Sequence, residues 1–308
     1  MSLQLTKTVT EFLQARPEQH FTARQIAQWV VQQKPEACAQ KQAKSQKTSA
    51  ELLQQIVAEI GSQYPRLKRR ILQIKTTQSR PKKYYFTERS DEEEVSDAEA
   101  GNEVGAAQRA TPSRSEVSLY PVLTDYLWSQ HHLYTKRIDE KRSSNSKGSN
   151  GNKWLYPDMV ALENLSHGWH CEVRDCVNAS SDNRTKLWSF EVKVKLNPSN
   201  VRQAFFQAVS NSSWANVGYL VAAEIIGDAT LSELRMLFGL HGIGVIRLEA
   251  DNPADSEILI PARERSGVDW NTCSRLANEN RDFLEYIRLI RQFHQTNDLR
   301  RKDWDRGL

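Results

Sequence analysis

The 308-residue chain contains no apolar run long enough to span a membrane. Its first residues, MSLQLTKTVTEFLQ, have an amphipathic rhythm instead of the basic and apolar blocks of a secretion signal. A soluble, cytoplasmic protein with no membrane partner is expected. Cysteine is scarce: Cys38, Cys171, Cys176 and Cys273 are scattered and too few to build a disulfide framework in a chain of 35.4 kDa, which suits a reducing compartment. His167, His170, Cys171 and Cys176 crowd into HGWHCEVRDC, and all four are zinc-ligand types. However, WHCEVR alternates like a strand and would send His170 and Cys171 to opposite faces, so ordinary strand and loop residues are expected there. A phosphate loop is also missing. GIG at 242–244 has no Gly-rich, helix-opening continuation and reads as a tight approach to a buried strand.

What the chain does have is an uneven charge. The net value of +4 conceals +10 over residues 1–89, −7 over residues 90–105, and +1 over the rest. A basic head followed by an acidic tether points to a polyanionic partner, most often nucleic acid. With 39% hydrophobic residues and eight Trp, the length allows two domains, or one large and one small.

Within the head, Leu5, Val9, Phe12 and Leu13 mark one amphipathic helix, Ile26, Trp29 and Val30 a second, and Leu52, Leu53, Ile56, Val57 and Ile60 a third. ILQIK and KYYFT then flank a polar turn carrying Arg80, Pro81, Lys82 and Lys83, which predicts a hairpin. Three helices and a basic-tipped hairpin are the layout of a winged helix-turn-helix. Residues 1–89 resemble the HARE-type winged helix-turn-helix domains attached to restriction endonucleases and chromatin proteins. That resemblance implies duplex DNA as partner and Lys44, Lys47, Arg80, Lys82 and Lys83 as contacts to it; a protein-binding winged helix is the competing reading. Residues 90–115, SDEEEVSDAEAGNEVGAAQRATPSRS, lack periodicity and predict a flexible acidic linker, and KRSSNSKGSNGNK at 141–153 predicts a mobile loop.

From residue 116 to about 300 the elements alternate. Helices are predicted at 116–130, with Pro121 making the first turn uncertain, and at 199–211, 230–239 and 273–295; strands are predicted at 133–139, 155–162, 169–174, 186–196, 217–223 and 244–250. This is a mixed α/β order. SNSSW at 210–214 reads as a helix-ending loop with its Trp turned inward.

Two features stand out. In KLWSFEVKVKL, Phe190, Val192, Val194 and Leu196 share one face of a strand, while Glu191, Lys193 and Lys195 share the other. On that pattern alone the charged face is solvated. In LYPDMVAL, Asp158 interrupts an apolar strand-like run, where a buried carboxylate needs a partner or a metal. Pro157-Asp158, then Glu191-Val192-Lys193 after 33 residues, then a helix bearing Gln203 and Gln207, resembles the signature of the PD-(D/E)XK, or restriction-endonuclease-like, nucleases. The segments FFQAVSNSSWANVGYLVAAEI, FGLHGIGVIRL and ILIPARERSGVDW extend a likeness to uncharacterised bacterial proteins of winged-helix plus restriction-endonuclease-like type over most of residues 116–295.

The resemblance implies a restriction-endonuclease-like mixed-sheet α/β core, preceded by the small winged helix-turn-helix domain. It further implies Mg²⁺ (or Mn²⁺) held by Asp158, Glu191 and the main-chain carbonyl of Val192, with Lys193 orienting the attacking water. Gln203 or Gln207 would meet substrate or water, and Glu116 is an added acidic candidate. The expected function is metal-dependent cleavage of double-stranded DNA, by a homodimer if both strands are cut, in restriction or genome defence and with modified DNA as a target. The competing expectations are a non-catalytic DNA-binding transcriptional regulator that keeps the nuclease fold as scaffold, and an RNA-processing nuclease with the same metal site.

Overall fold

The computed structural model describes residues 3–45, 48–100, 115–144, 154–180 and 184–307, of which 44, 45 and 178–180 are described by their main chain alone. Lys47, most of the loop predicted at 141–153 and most of the 90–115 linker lie outside the described residues. Contact density divides the chain into two units: residues up to 113 together with 224–230, and the remainder.

In the first unit, α1 (Leu5–Gln14), α2 (Ala23–Gln33) and α4 (Ser49–Arg70) bury the apolar faces marked in the sequence, with Leu13, Ile26, Val30 and Ile56 inaccessible to solvent. Thr22 and Thr48 open α2 and α4 through reciprocal bonds with Gln25 and Glu51, which satisfy main-chain N–H groups left over by the first helical turn. Lys68, Arg69 and Arg70 close α4, where exposed carbonyls favour cations. A fourth helix, α3 (Pro35–Ser45), stands where periodicity predicts none; its sequence PEACAQKQAKS buries little apolar surface besides Cys38. Strands β1 (Phe21–Thr22), β2 (Ile74–Thr76) and β3 (Lys83–Phe86) form a small antiparallel sheet in the order β1-β3-β2.

The acidic tether is not uniformly a linker. Residues Asp91–Glu99 form α5, opened by Ser90 and Glu93, with Glu94, Val95 and Ala98 buried. Lys75 of β2 accounts for two of the acids: its Nζ lies 2.6 Å from Asp91 Oδ1 and also pairs with Glu94, which accepts from Tyr85 Oη at 3.0 Å. Charge that reads as solvating in one dimension is there to meet a half-buried cation.

The second unit is a mixed α/β fold on a six-stranded sheet of order β4-β5-β6-β7-β8-β9. These are Tyr134–Arg137, Met159–Asn164, Thr185–Leu196, Val217–Ile225, Gly244–Arg247 and Glu257–Ile260. The pairs β4/β5, β5/β6 and β8/β9 are antiparallel and β7/β8 is parallel. Helices α6 (Glu116–His131), α8 (Val201–Asn211), α9 (Gly227–His241), α10 (Trp270–Glu279) and α11 (Arg281–Thr296) accompany it. Trp214, Phe283 and Tyr286 meet edge to face in its core, and Tyr286 Oη donates to the Ala161 carbonyl at 2.8 Å, tying α11 to the sheet.

Several expectations are corrected. WHCEVR is not a strand: residues 171–180 form α7, because both edges of β5 are already taken by β4 and β6, which leaves an extra strand no partner there. The C-terminal helix is two helices. Asn280 is extended (φ −126°, ψ 129°), caps α11 through bonds from the Asp282 and Phe283 N–H groups, and donates to the Asp139 carbonyl, so its amide is better satisfied at a break than inside a helix. Pro121 does not interrupt α6, and β9 adds a strand that periodicity did not mark.

Candidate active site

The site is assembled where β5 begins beside the middle of β6. Met159 stands opposite Phe190 in the antiparallel register, so the next pair along is Asp158 and Glu191. The two carboxylates, 33 residues apart in sequence, are thus neighbours across a strand pair. Lys193, two residues beyond Glu191, shares its face, and its Nζ lies 2.8 Å from Glu191 Oε1. That face of β6 is not the solvated one the alternation alone suggests: Glu191 is 1% exposed and Ser189 is equally buried.

Helices α6 and α8 complete the cluster. Ser115 caps α6, which places Glu116 in the first turn and Tyr120 one turn on, on the same side of the helix. Glu116 Oε1 lies 3.2 Å from Lys193 Nζ, and Tyr120 Oη donates to Asp158 Oδ1 at 3.3 Å. The other oxygen of Asp158 accepts the main-chain N–H of Val192 at 2.7 Å. From the end of α8, Asn211 Nδ2 donates to Glu191 Oε2 at 2.5 Å.

Three carboxylates therefore surround one ammonium. Burial raises the Asp158 carboxyl above its ordinary range, with Lys193 and the Val192 N–H opposing it. Burial also raises Glu191, and the Asp158 charge adds to the effect. Burial alone would lower Lys193, but Glu191, Glu116 and Asp158 outweigh it and hold the lysine well above its usual value. Lys193 is thus a fixed cation among three acidic groups.

The arrangement suits a divalent cation. Glu191 Oε1 is fully buried and, although an ion-pair distance from Lys193, makes no hydrogen bond of acceptable geometry. Hard carboxylate oxygens match Mg²⁺ or Mn²⁺ rather than a soft metal. Among the described residues no group of three or more His, Cys, Asp or Glu side chains is arranged to hold a metal ion, so Asp158 and Glu191 are the side chains that could hold one here.

Gln203 is exposed and Gln207 half-buried on α8; the α8 side chain that reaches the carboxylates is Asn211, one turn beyond Gln207. The sequence signals for Asn211 and Tyr120 were only their helical spacing from Gln207 and Glu116. In the first unit Arg80 and Lys83 are exposed at and beside the β2–β3 turn, Lys82 Nζ is 2.9 Å from Asp228 Oδ1, and Lys44 lies in α3. No helix among the described residues is long and apolar enough to cross a membrane.

No family model and no curated protein matches the chain. Among solved structures, a protein of unknown function from Silicibacter pomeroyi is similar at 12% identity, over 58% of this chain and 90% of that one, with a TM-score of 0.31.

Proposed function

We propose that the chain is a metal-dependent endodeoxyribonuclease of PD-(D/E)XK type that hydrolyses phosphodiester bonds in double-stranded DNA. In this reading its first unit is a winged helix-turn-helix that delivers the substrate, and two chains act together where both strands are cut. The observation that carries the reading is the placement of Asp158 beside Glu191 on paired strands, with Lys193 on the face of Glu191. A divalent cation held by Asp158 and Glu191 would supply charge neutralisation at the scissile phosphate and a lowered pKa for the attacking water. Lys193, kept protonated by three acids, orients that water and donates to a phosphate oxygen as charge develops. Glu116 holds the lysine from α6, and Tyr120 and the Val192 N–H hold Asp158. Val192 contributes through its main chain, since its side chain belongs to the core.

The test is cleavage of unmodified and cytosine-modified duplexes by the purified chain with Mg²⁺ or Mn²⁺, beside an Asp158→Ala control. Metal-dependent cutting that disappears in the control supports the proposal, and a preference for modified duplex supports a role in genome defence. Tight duplex binding without cutting under either metal would instead make the chain a DNA-binding regulator on a nuclease scaffold. The hairpin is tested separately. If Lys83 meets phosphate, Lys83→Glu weakens duplex binding and lowers the slope of log K against log salt by about 1; an unchanged slope removes the hairpin from the interface.

A further inference from the structure

The SNSSW stretch does more than end a helix. We infer that Asn211 is the positioning residue for Glu191, its amide fixing one carboxylate oxygen so that the other is presented to a cation; this rests on the metal-dependent reading above. Asn211 is 1% exposed, and its Nδ2 donates to Glu191 Oε2 at 2.5 Å. Its side chain is not needed to end α8, because the main chain there is held independently. The Asn211 carbonyl accepts from Trp214 Nε1 at 2.8 Å and from Ser189 Oγ at 3.3 Å. A Cβ at Gly218 would lie 2.3 Å from Ser212 Oγ, so β7 approaches the helix end as closely as glycine permits and pins the residue that follows Asn211. The amide is thus carried on a rigid mount.

The chemistry of the group fits that role. A glutamate has three rotatable bonds, and ordering it costs entropy that a preformed donor offsets before any ligand arrives. An arginine or lysine in the same place would also hold the carboxylate, but would cancel charge that a divalent cation needs. The neutral amide orients without neutralising. It engages Oε2 and leaves Oε1, buried and beside only the Lys193 ammonium at 2.8 Å, as the oxygen that faces the rest of the site. Partners of this kind, which hold a metal ligand without touching the metal, typically govern affinity by about 10- to 100-fold.

The experiment is calorimetric titration of Mn²⁺ into the 308-residue chain and its Asn211→Leu and Asn211→Ser variants, with metal-free melting recorded in parallel. Leucine fills the space without a donor; serine is smaller and polar, and decides the matter if the leucine variant does not fold. A Mn²⁺ dissociation constant raised about 10- to 100-fold in a folded variant supports the positioning role. A lowered melting temperature with an unchanged dissociation constant overturns it and leaves Asn211 a purely structural residue. A wild-type chain that binds no Mn²⁺ overturns the metal-dependent reading itself, so the two failures are distinct.

Discussion

If the chain is the metal-dependent nuclease proposed above, replacing Lys193 by alanine lowers its cleavage by about 10²- to 10³-fold, the cost of removing one preorganised donor to a developing oxyanion, while duplex affinity stays nearly unchanged. The same substitution is expected to destabilise the metal-free protein. Lys193 is only 13% exposed and lies within 3.2 Å of both Glu191 and Glu116, so its loss leaves the Glu191, Glu116 and Asp158 carboxylates facing one another without a counter-charge. Breaking a buried ion pair on one side costs about 3–5 kcal/mol, because the surviving charge stays desolvated. Lys193→Arg separates the two effects. It restores the positive charge, and with it much of the stability, but a planar fork cannot reproduce the position of an ammonium, so cleavage stays depressed. Single-turnover cleavage and urea unfolding of the two variants, side by side, provide the measurement. Full cleavage by the alanine variant would remove Lys193 from the chemistry.

The parts of the site that were legible in the sequence are those written in a two-residue period. Glu191 and Lys193 fall on one face because strands alternate, and Asp158 announced itself by interrupting an apolar run. That these strands pair in the register that makes Asp158 and Glu191 neighbours is a non-local fact, and six residues of alternation in the intervening WHCEVR do not exclude the helix that forms there. The helical contributors were harder for a related reason. A helix presents each face to something, and which turn of α8 reaches β6 depends on how its end is pinned against Gly218, not on the spacing of its glutamines. Tyr120 was hidden as an ordinary core aromatic. The break at Asn280 depends on the distant Asp139 carbonyl, and α5 depends on Lys75; neither partner is visible in a local window. Burial reversed the bland reading of β6, since a charged face is solvated only if no helix covers it.

The acidic helix provides the other large expected effect. Glu94→Leu should destabilise the first unit by about 3–5 kcal/mol, since it removes the more buried partner of Lys75. The Glu94 side chain is 2% exposed and that of Lys75 13%, so neither charge is well hydrated, and Tyr85 Oη would also lose its acceptor. Asp91, 31% exposed and 2.6 Å from Lys75, compensates only in part because it sits at the first turn of α5, nearer solvent. Lys75→Met alone should be comparably damaging, as it strands Glu94. The Lys75→Met/Glu94→Leu pair should recover most of the loss, because two desolvated charges are replaced by apolar surface that Val95 and Ala98 already line. Urea unfolding of the three variants closes the double-mutant cycle, and amide exchange across residues 91–99 reports whether α5 detaches. A coupling near zero would mean that Lys75 and Glu94 act separately, and that Val95 and Ala98 hold the helix in place. A large favourable coupling would mean that Glu94 is a structural acid, whose charge is matched within its own unit by Lys75.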